Sequence, residues 1–512
     1  MGVFDRLRRE ERILPVRQES GRWTFVREWL IPFFCLLVVW GSLSLPLLPV
    51  SEGALLETSL RALALLAFVY LGGYTLKGMR PDVFKAPLEV PLISIVTILQ
   101  VFLNRMAISK ASAMSLPVGV DALMFVPLGF GAMLIAPLLG LRVAFCIGLM
   151  ASLDLLFFFP RDLGGDMSYA ALVYLPGVLA SIGGAMMMRR VRRRIDLLAT
   201  GLLAGILMLI CHAARQPEMV EDWSGPAICL ANGLLSAIVA SFVLPLFEYL
   251  FGMTTDQTLL EMSDLNHPLL KRLQLEAPGT YHHSLMVATV AEEAATAIGA
   301  NPLLARVCSY FHDIGKLAHP EYFTENIRYD NPHDDLHPHM SSLILLNHVK
   351  EGLDLAAQYK LNKAIRDTIA QHHGTSLIYY FFRRAKDEEE HASTAEVDYR
   401  YPGPRPRRKE IAIISLADAC EAVVRSLEKP TPQKIASRVE EMIRDRILDH
   451  QLDDANLTFA ELAIVQESII KTLSGMMHNR IRYQEEDEEG ADANQPDTAD
   501  EKAPGEKPET AS

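Results

Sequence analysis

The amino-acid sequence predicts an all-α protein, with a polytopic helical membrane half followed by an all-helical soluble half. Two observations predict it. Between residues 29 and 251 the chain is almost entirely apolar runs with short polar breaks. From 252 to 483 apolar residues recur at helical spacing, with little of the strict alternation that a half-buried strand requires.

Crossing the hydrocarbon takes about 20 apolar residues as helix. Eight segments qualify: 29–50, 55–76, 87–107, 116–139, 141–160, 168–188, 195–213 and 226–250. Only Gly140-Leu141-Arg142 divides the fourth from the fifth. The first is too long an apolar run for a signal peptide and has no convincing cleavage site. Arg and Lys in the short loops set the orientation. The N-terminal segment carries seven Arg, and the loops on its side hold nine basic residues against four on the other. Eight spans return the chain to the starting side, so both ends and the soluble half are expected in the cytoplasm.

Charged groups inside spans are costly and often functional. The clearest here are Arg61, Asp121 and Asp154. Without an inverted repeat or broken helices a transporter is disfavoured, and Arg61 is expected to snorkel or to pair with a neighbouring helix. None of the six cysteines forms a C-x-x-C pair, so they read as single buried thiols.

After the last span, a helix over 252–276 is interrupted at Asn266-His267-Pro268 and reads as a coupling element. A helical domain follows over 277–483. The tail from 484 to 512 holds 11 acidic residues against two Lys and has no apolar periodicity, so it is expected to be disordered. That tail supplies most of the net charge of −13. The N-terminal residues 1–28 form a basic cytoplasmic segment.

The helical domain contains Tyr310-Phe311-His312-Asp313-Ile314-Gly315-Lys316, with His283, His348, His372, His373 and Asp418 elsewhere. Each lies in a helical stretch beside apolar residues, and buried imidazoles and carboxylates need partners. Metal ions would satisfy them together. Five His and two Asp without Cys favour manganese or iron over zinc. Seven ligands are too many for one ion with an open position, and Asp313 has two oxygens with which to bridge two ions. Such a pair can activate water and clamp a phosphoryl group in displacement. Lys316, one turn beyond Asp313, can offer charge to a phosphate oxygen.

These residues resemble the HD-domain phosphohydrolases. The wider text is more specific: Met262-Ser-Asp-Leu-Asn-His-Pro-Leu-Leu270, Glu276-Ala-Pro-Gly-Thr-Tyr-His-His-Ser284, Tyr322-Phe-Thr-Glu-Asn326, Asn331-Pro-His-Asp334, Gln371-His-His-Gly-Thr375, Tyr399-Arg-Tyr-Pro-Gly-Pro404 and Leu416-Ala-Asp-Ala-Cys-Glu421. It is similar to the seven-transmembrane HD family, whose characterised members are cyclic-di-AMP phosphodiesterases of the PgpH type. The resemblance implies that His283, His312, Asp313 and Asp418 hold one metal. His348, His372 and His373, with bridging Asp313, would hold the other. The family places a large extracytoplasmic domain after its first span; here only residues 50–54 separate the first two.

The expected activity is metal-dependent hydrolysis of a cyclic dinucleotide to a linear one, with Asp313 and Lys316 catalytic, in a bacterial inner membrane. Alternatives are hydrolysis of another nucleotide, or a membrane receptor that senses a nucleotide without turnover. Expected partners are the cyclic dinucleotide and the bilayer, with no nucleic-acid polymer; a homo-oligomer stays open. Tyr322, Phe323, Tyr379, Tyr380 and Phe381 are candidates to stack on bases. Arg400, Arg405, Arg407 and Arg408 could meet phosphates or anionic lipid heads.

Overall fold

The computed structural model describes residues 55–79, 88–114, 122–158, 167–188, 194–215, 217–220, 223–327, 330–388 and 395–492, with Leu37, Val120 and Val191 besides. The expected span 29–50 lies outside the described residues apart from Leu37, as do Asp121 and the side chains of Arg61 and Asp154. The chain divides into two compact units, Met1–Glu261 and Met262–Ser512.

The first unit is a bundle of apolar helices: α1 (Leu55–Met79), α2 (Glu89–Ser112), α3 (Phe130–Leu139), α4 (Leu141–Phe158), α5 (Met167–Met188), α6 (Arg194–Arg215) and α7 (Ser224–Phe251). A short α8 (Asp256–Met262) follows. Among the described residues, four stretches are long and apolar enough to cross a membrane: Glu89–Ala111, Ala122–Leu139, Asp196–Ala214 and Ser224–Phe251. Their outward faces keep large apolar side chains such as Phe242 and Leu246 exposed, as lipid-facing helices do. The five described cysteines, Cys146, Cys211, Cys229, Cys308 and Cys420, are buried and free.

The expectation of unbroken spans is corrected at the fourth. A 3-10 turn (Ala122–Phe125) precedes α3, and Val126-Pro127-Leu128-Gly129 interrupts the helix between them. Pro127 has no N–H to continue the ladder, which frees the carbonyls before it. At membrane depth a freed carbonyl must be satisfied by protein. Asn232 Nδ2 donates to the carbonyls of Met124 (2.7 Å) and Val126 (2.9 Å). Gln100 Nε2 donates to Pro127 O at 2.9 Å, and Ser181 Oγ to Leu128 O at 2.8 Å.

Helices α6 and α7 pack most closely. Gly201 and Gly205 sit one turn apart on α6 and meet Gly233 of α7. A Cβ on Gly233 would overlap Gly201 O and Gly205 N, so only hydrogen fits there. This small-residue packing replaces the hydrophobic drive that lipid removes.

The second unit is also helical. Its elements are α9 (Pro268–Glu276), α10 (Pro278–Ala297), α11 (Pro302–Phe311), α12 (Pro338–Gln358), α13 (Lys363–Gln371), α14 (Tyr379–Glu388), α15 (Lys409–Arg425), α16 (Pro432–Leu448) and α17 (Phe459–Asp492). Five of these begin with proline, which is pre-set for the first helical position. Asn301, Asn362 and Thr431 cap α11, α13 and α16 through their side chains. Helix α15 is the centre of this unit: every residue from Ile411 to Glu421 is buried. Helices α10, α11, α16 and α17 pack around it, and their buried residues include Val287, Ala291, Phe311, Val439 and Ile469.

Helix α17 extends to Asp492, into the segment that composition marks as disordered. Once the helix is established, glutamates, which are good helix formers, continue it at little cost. In the first unit, Asn232→Leu keeps approximate volume but removes both amide hydrogen bonds to the carbonyls of Met124 and Val126, a cost of about 0.5–1.5 kcal/mol each. Thermal unfolding of the detergent-solubilised chain should show a lower midpoint, and an unchanged midpoint would mean that the break is held by other contacts.

Candidate metal centre

The seven histidines and aspartates singled out from the sequence come together in the second unit. They form two groups that share one residue: Asp313 with His348, His372 and His373, and Asp313 with His283, His312 and Asp418. Within each group the ligand atoms lie within 4.8 Å of one another. His283 comes from α10, His348 from α12 and Asp418 from α15. The expectation that all seven sit within helices is corrected for two pairs. His312 and Asp313 lie just past the end of α11, and His372 and His373 just past the end of α13. Ending the helix there lets an imidazole turn back onto carbonyls of the last turn. His312 Nδ1 donates to Ser309 O at 2.7 Å, and His372 Nδ1 faces Thr368 O (3.1 Å) and Ile369 O (3.0 Å). His348 Nδ1 donates to Leu345 O at 2.6 Å.

A carbonyl only accepts, so each of these rings spends its Nδ1–H on the chain, and in a neutral imidazole the Nε2 turned inward carries a lone pair. Asp313 receives them on two sides. Its Oδ1 is 3.5 Å from His348 Nε2 and 3.6 Å from His372 Nε2. Its Oδ2 is 3.1 Å from His312 Nε2 and 3.6 Å from His283 Nε2. The Nε2 atoms of His312, His348 and His372, and Asp313 Oδ1, are all buried without a hydrogen-bond partner. Acceptors facing acceptors in a buried site need a cation between them. The donor set of imidazole and carboxylate suits a transition metal, so these residues fit the metal expected there.

Electrostatics point the same way. Burial pushes the imidazole of His348 down to about 4 and holds that of His373 well below its ordinary value, so both stay neutral and keep a lone pair. Burial would lower His283 too, but hydrogen bonds to Asp418 and Glu421 outweigh it and raise the group to about 10. Glu421 Oε2 lies 2.6 Å from His283 Nδ1, and His283 Nε2 lies 3.1 Å from Asp418 Oδ1. Sequence reasoning missed Glu421 as a site residue. Its signal was its place three residues after Asp418, on the same face of α15.

Lys316 stands in a 3-10 turn (Ile314–Ala318), whose three-residue repeat sets it directly beside Asp313. Its ammonium lies 2.8 Å from Asp313 Oδ2 and 2.7 Å from Glu325 Oε1. Burial would lower Lys316, but Asp313 and Glu325 raise it instead. Burial would raise Glu325, yet Lys316 brings it down to about 2. Glu325 reaches Lys316 from a loop, with no spacing that reveals it. Gly315 explains the tightness of the turn: a Cβ there would overlap His348 O, so only glycine lets the turn press against α12.

A cleft of about 590 Å³ opens on this cluster. Tyr322, Phe323, Tyr380 and Phe381 line it, while Tyr379 does not and is exposed. None of Arg400, Arg405, Arg407 and Arg408 lines it. Arg400 is tied to Asp449 and Glu396, and Arg405 reaches Asp453.

Helical HD-type architecture and this His/Asp cluster define an HD-domain protein: residues 280–423 match the HD domain family model. Residues 55–255 match the family described as 7TM receptor with intracellular HD hydrolase. The chain belongs to that seven-transmembrane HD family. It is similar to the cyclic-di-AMP phosphodiesterase PgpH of Bacillus subtilis (strain 168), 37% identical over 367 residues, which are 70% of this chain and 51% of the relative. The protein of the same name from Listeria monocytogenes is 38% identical over 364 residues, 70% of this chain and 50% of the relative. The chain thus spans about half the length of these curated relatives. The crystal structure of the L. monocytogenes PgpH HD domain in complex with cyclic-di-AMP is 46% identical, covering 42% of this chain and 100% of that one, with a TM-score of 0.40.

Removing Asp313 should disturb both groups, and changing Glu421 should disturb one. Metal analysis of purified protein should show Asp313→Ala with content well below wild type. Glu421→Gln, which weakens the orientation of His283, should lower affinity at one site by about 10- to 100-fold. Unchanged metal content in Asp313→Ala would mean that the cluster does not hold metal.

Proposed function

We propose that the second unit hydrolyses a phosphodiester bond of a cyclic dinucleotide, cyclic-di-AMP to linear pApA, at a two-metal centre. The observation that carries this is the convergence of three buried, unpartnered imidazole nitrogens on two sides of one carboxylate, Asp313. In this reading His283, His312, Asp313 and Asp418 hold one ion, and His348, His372, His373 and Asp313 the other, manganese or iron in each case. When bound, the ions supply Lewis acidity to the attacking water and to the phosphoryl oxygens. The shared name of the two relatives supports the substrate class.

The chain's own groups supply the rest. Asp313 sets the separation of the two ligand groups because its oxygens face opposite ways. Glu421 holds the ring of His283 and so the direction of its Nε2. Lys316 has three N–H donors, and Asp313 and Glu325 engage two. The third is left for a phosphate oxygen in the cleft, where charge grows in the transition state. The aromatic walls offer rings on which bases stack.

The protein would lie in a bacterial cell membrane with its second unit and both termini in the cytoplasm, where the substrate is. The loop asymmetry of Lys and Arg supports this orientation. Reporter fusions at Arg22 and Phe251 should both report a cytoplasmic position; an external signal at either would break the eight-span arrangement.

The chemical reading is tested by incubating the detergent-solubilised chain with a panel of cyclic dinucleotides and manganese or iron. Cyclic-di-AMP should be converted to pApA, and no turnover of any dinucleotide with metal bound would leave a sensor. Lys316→Met keeps the stem and removes the charge. It should retain metal and lose about 10²–10³-fold in kcat, with a smaller change in KM. A raised KM with normal kcat would make Lys316 a ground-state contact instead.

A further inference from the structure

A cyclic dinucleotide carries two phosphates, and the metal cluster faces only one of them. The second must also leave water on entering the cleft, and a desolvated anion needs a cation or donors. The cleft wall presents three basic side chains to meet it: Lys316, Arg425 and Arg446. Two are already engaged. Lys316 lies between Asp313 and Glu325, and Arg425 Nη1 is 3.4 Å from Glu421, with its Nη2 4.0 Å from Glu325. Arg446 differs. It makes no ion pair among the described residues, and its Nη1 is buried without a hydrogen-bond partner. It stands on α16 one turn beyond Met442, which lines the same cleft, so this face of the helix is part of the wall.

We propose that Arg446 is the contact for the phosphate that is not hydrolysed, and so selects substrates with two phosphates over those with one. This rests on the cyclic-dinucleotide reading of the site. A guanidinium suits the role, because its donors form a fixed fork that matches a phosphate edge, and it stays charged at any working pH. The burial of Nη1 favours a dianionic ring further, since a charge-assisted hydrogen bond is worth more away from water. Arg446 would act on binding rather than on the bond being broken, because the reacting phosphate is held by the Asp313 cluster.

The test uses the full, metal-loaded chain, with Arg446→Gln and Arg446→Lys. Affinity for cyclic-di-AMP is measured by equilibrium dialysis, and specificity by kcat/KM for cyclic-di-AMP against bis(p-nitrophenyl) phosphate, which has one phosphate. Arg446→Gln should weaken dinucleotide binding about tenfold or more. The kcat/KM ratio should shift toward the one-phosphate substrate by a similar factor, with Arg446→Lys between. Metal content and circular dichroism at wild-type levels identify variants that have folded. Equal losses on both substrates, or none on either, would overturn the assignment. Wild-type protein that binds cyclic-di-AMP without hydrolysing it would sink the hydrolase reading, while the dialysis result would still decide the role of Arg446. Wild-type protein that neither binds nor hydrolyses it would sink both.

Discussion

The carboxylate of Asp313 is the constraint on which the site depends. Its two oxygens face two sets of imidazoles, and its Oδ2 also meets Lys316. A buried carboxylate in that position is tolerable only if cations surround it. Lys316 supplies one. The imidazole nitrogens on both sides of Asp313 that have no hydrogen-bond partner mark where further positive charge would sit.

Holding those groups in register is the work of backbone rather than of loops. Three of the inward-facing rings are anchored by Nδ1 to carbonyls three or four residues earlier in the chain. Each anchor fixes a tautomer as well as an orientation, so the nitrogen presented inward is set by local geometry. His283 meets carboxylates instead, Asp418 at Nε2 and Glu421 at Nδ1, and its greater basicity follows. Gly315 lets the turn carrying Lys316 close on α12 at His348, which brings the two ligand groups within reach of one aspartate.

Much of this is legible in the sequence because ligand chemistry leaves a compositional trace. Five imidazoles and two carboxylates on apolar helix faces have few roles open to them besides holding metal, and the structure brings all seven together. The helix ends are not legible, since periodicity does not reveal that His312 and His372 stand just past the last turn. Glu421 was within reach of an i, i+3 argument from Asp418, whereas Glu325 was not, because its approach to Lys316 depends on a loop path. Arg446 carried no signal either. Its neighbours in sequence are ordinary for a surface helix, and only its buried, unpartnered Nη1 sets it apart. In the first unit, composition located the apolar segments but not the break at Pro127, whose stability depends on side chains from distant helices.

The two units use buried polar groups in opposite ways. At the break in the first, Gln100, Asn232 and Ser181 spend their donors on carbonyls that Pro127 and its neighbours release. A broken helix whose carbonyls are capped by side chains has little left to coordinate an ion, so this break reads as architecture rather than as a transport path. In the second unit the donors and acceptors do not cancel. Imidazole Nε2 atoms and a carboxylate oxygen are left facing one another, at a cost that folding alone would not sustain. A structure that caps the freed carbonyls of a broken span, yet leaves a matched set of acceptors unspent beside a cleft, has a place there for a cation.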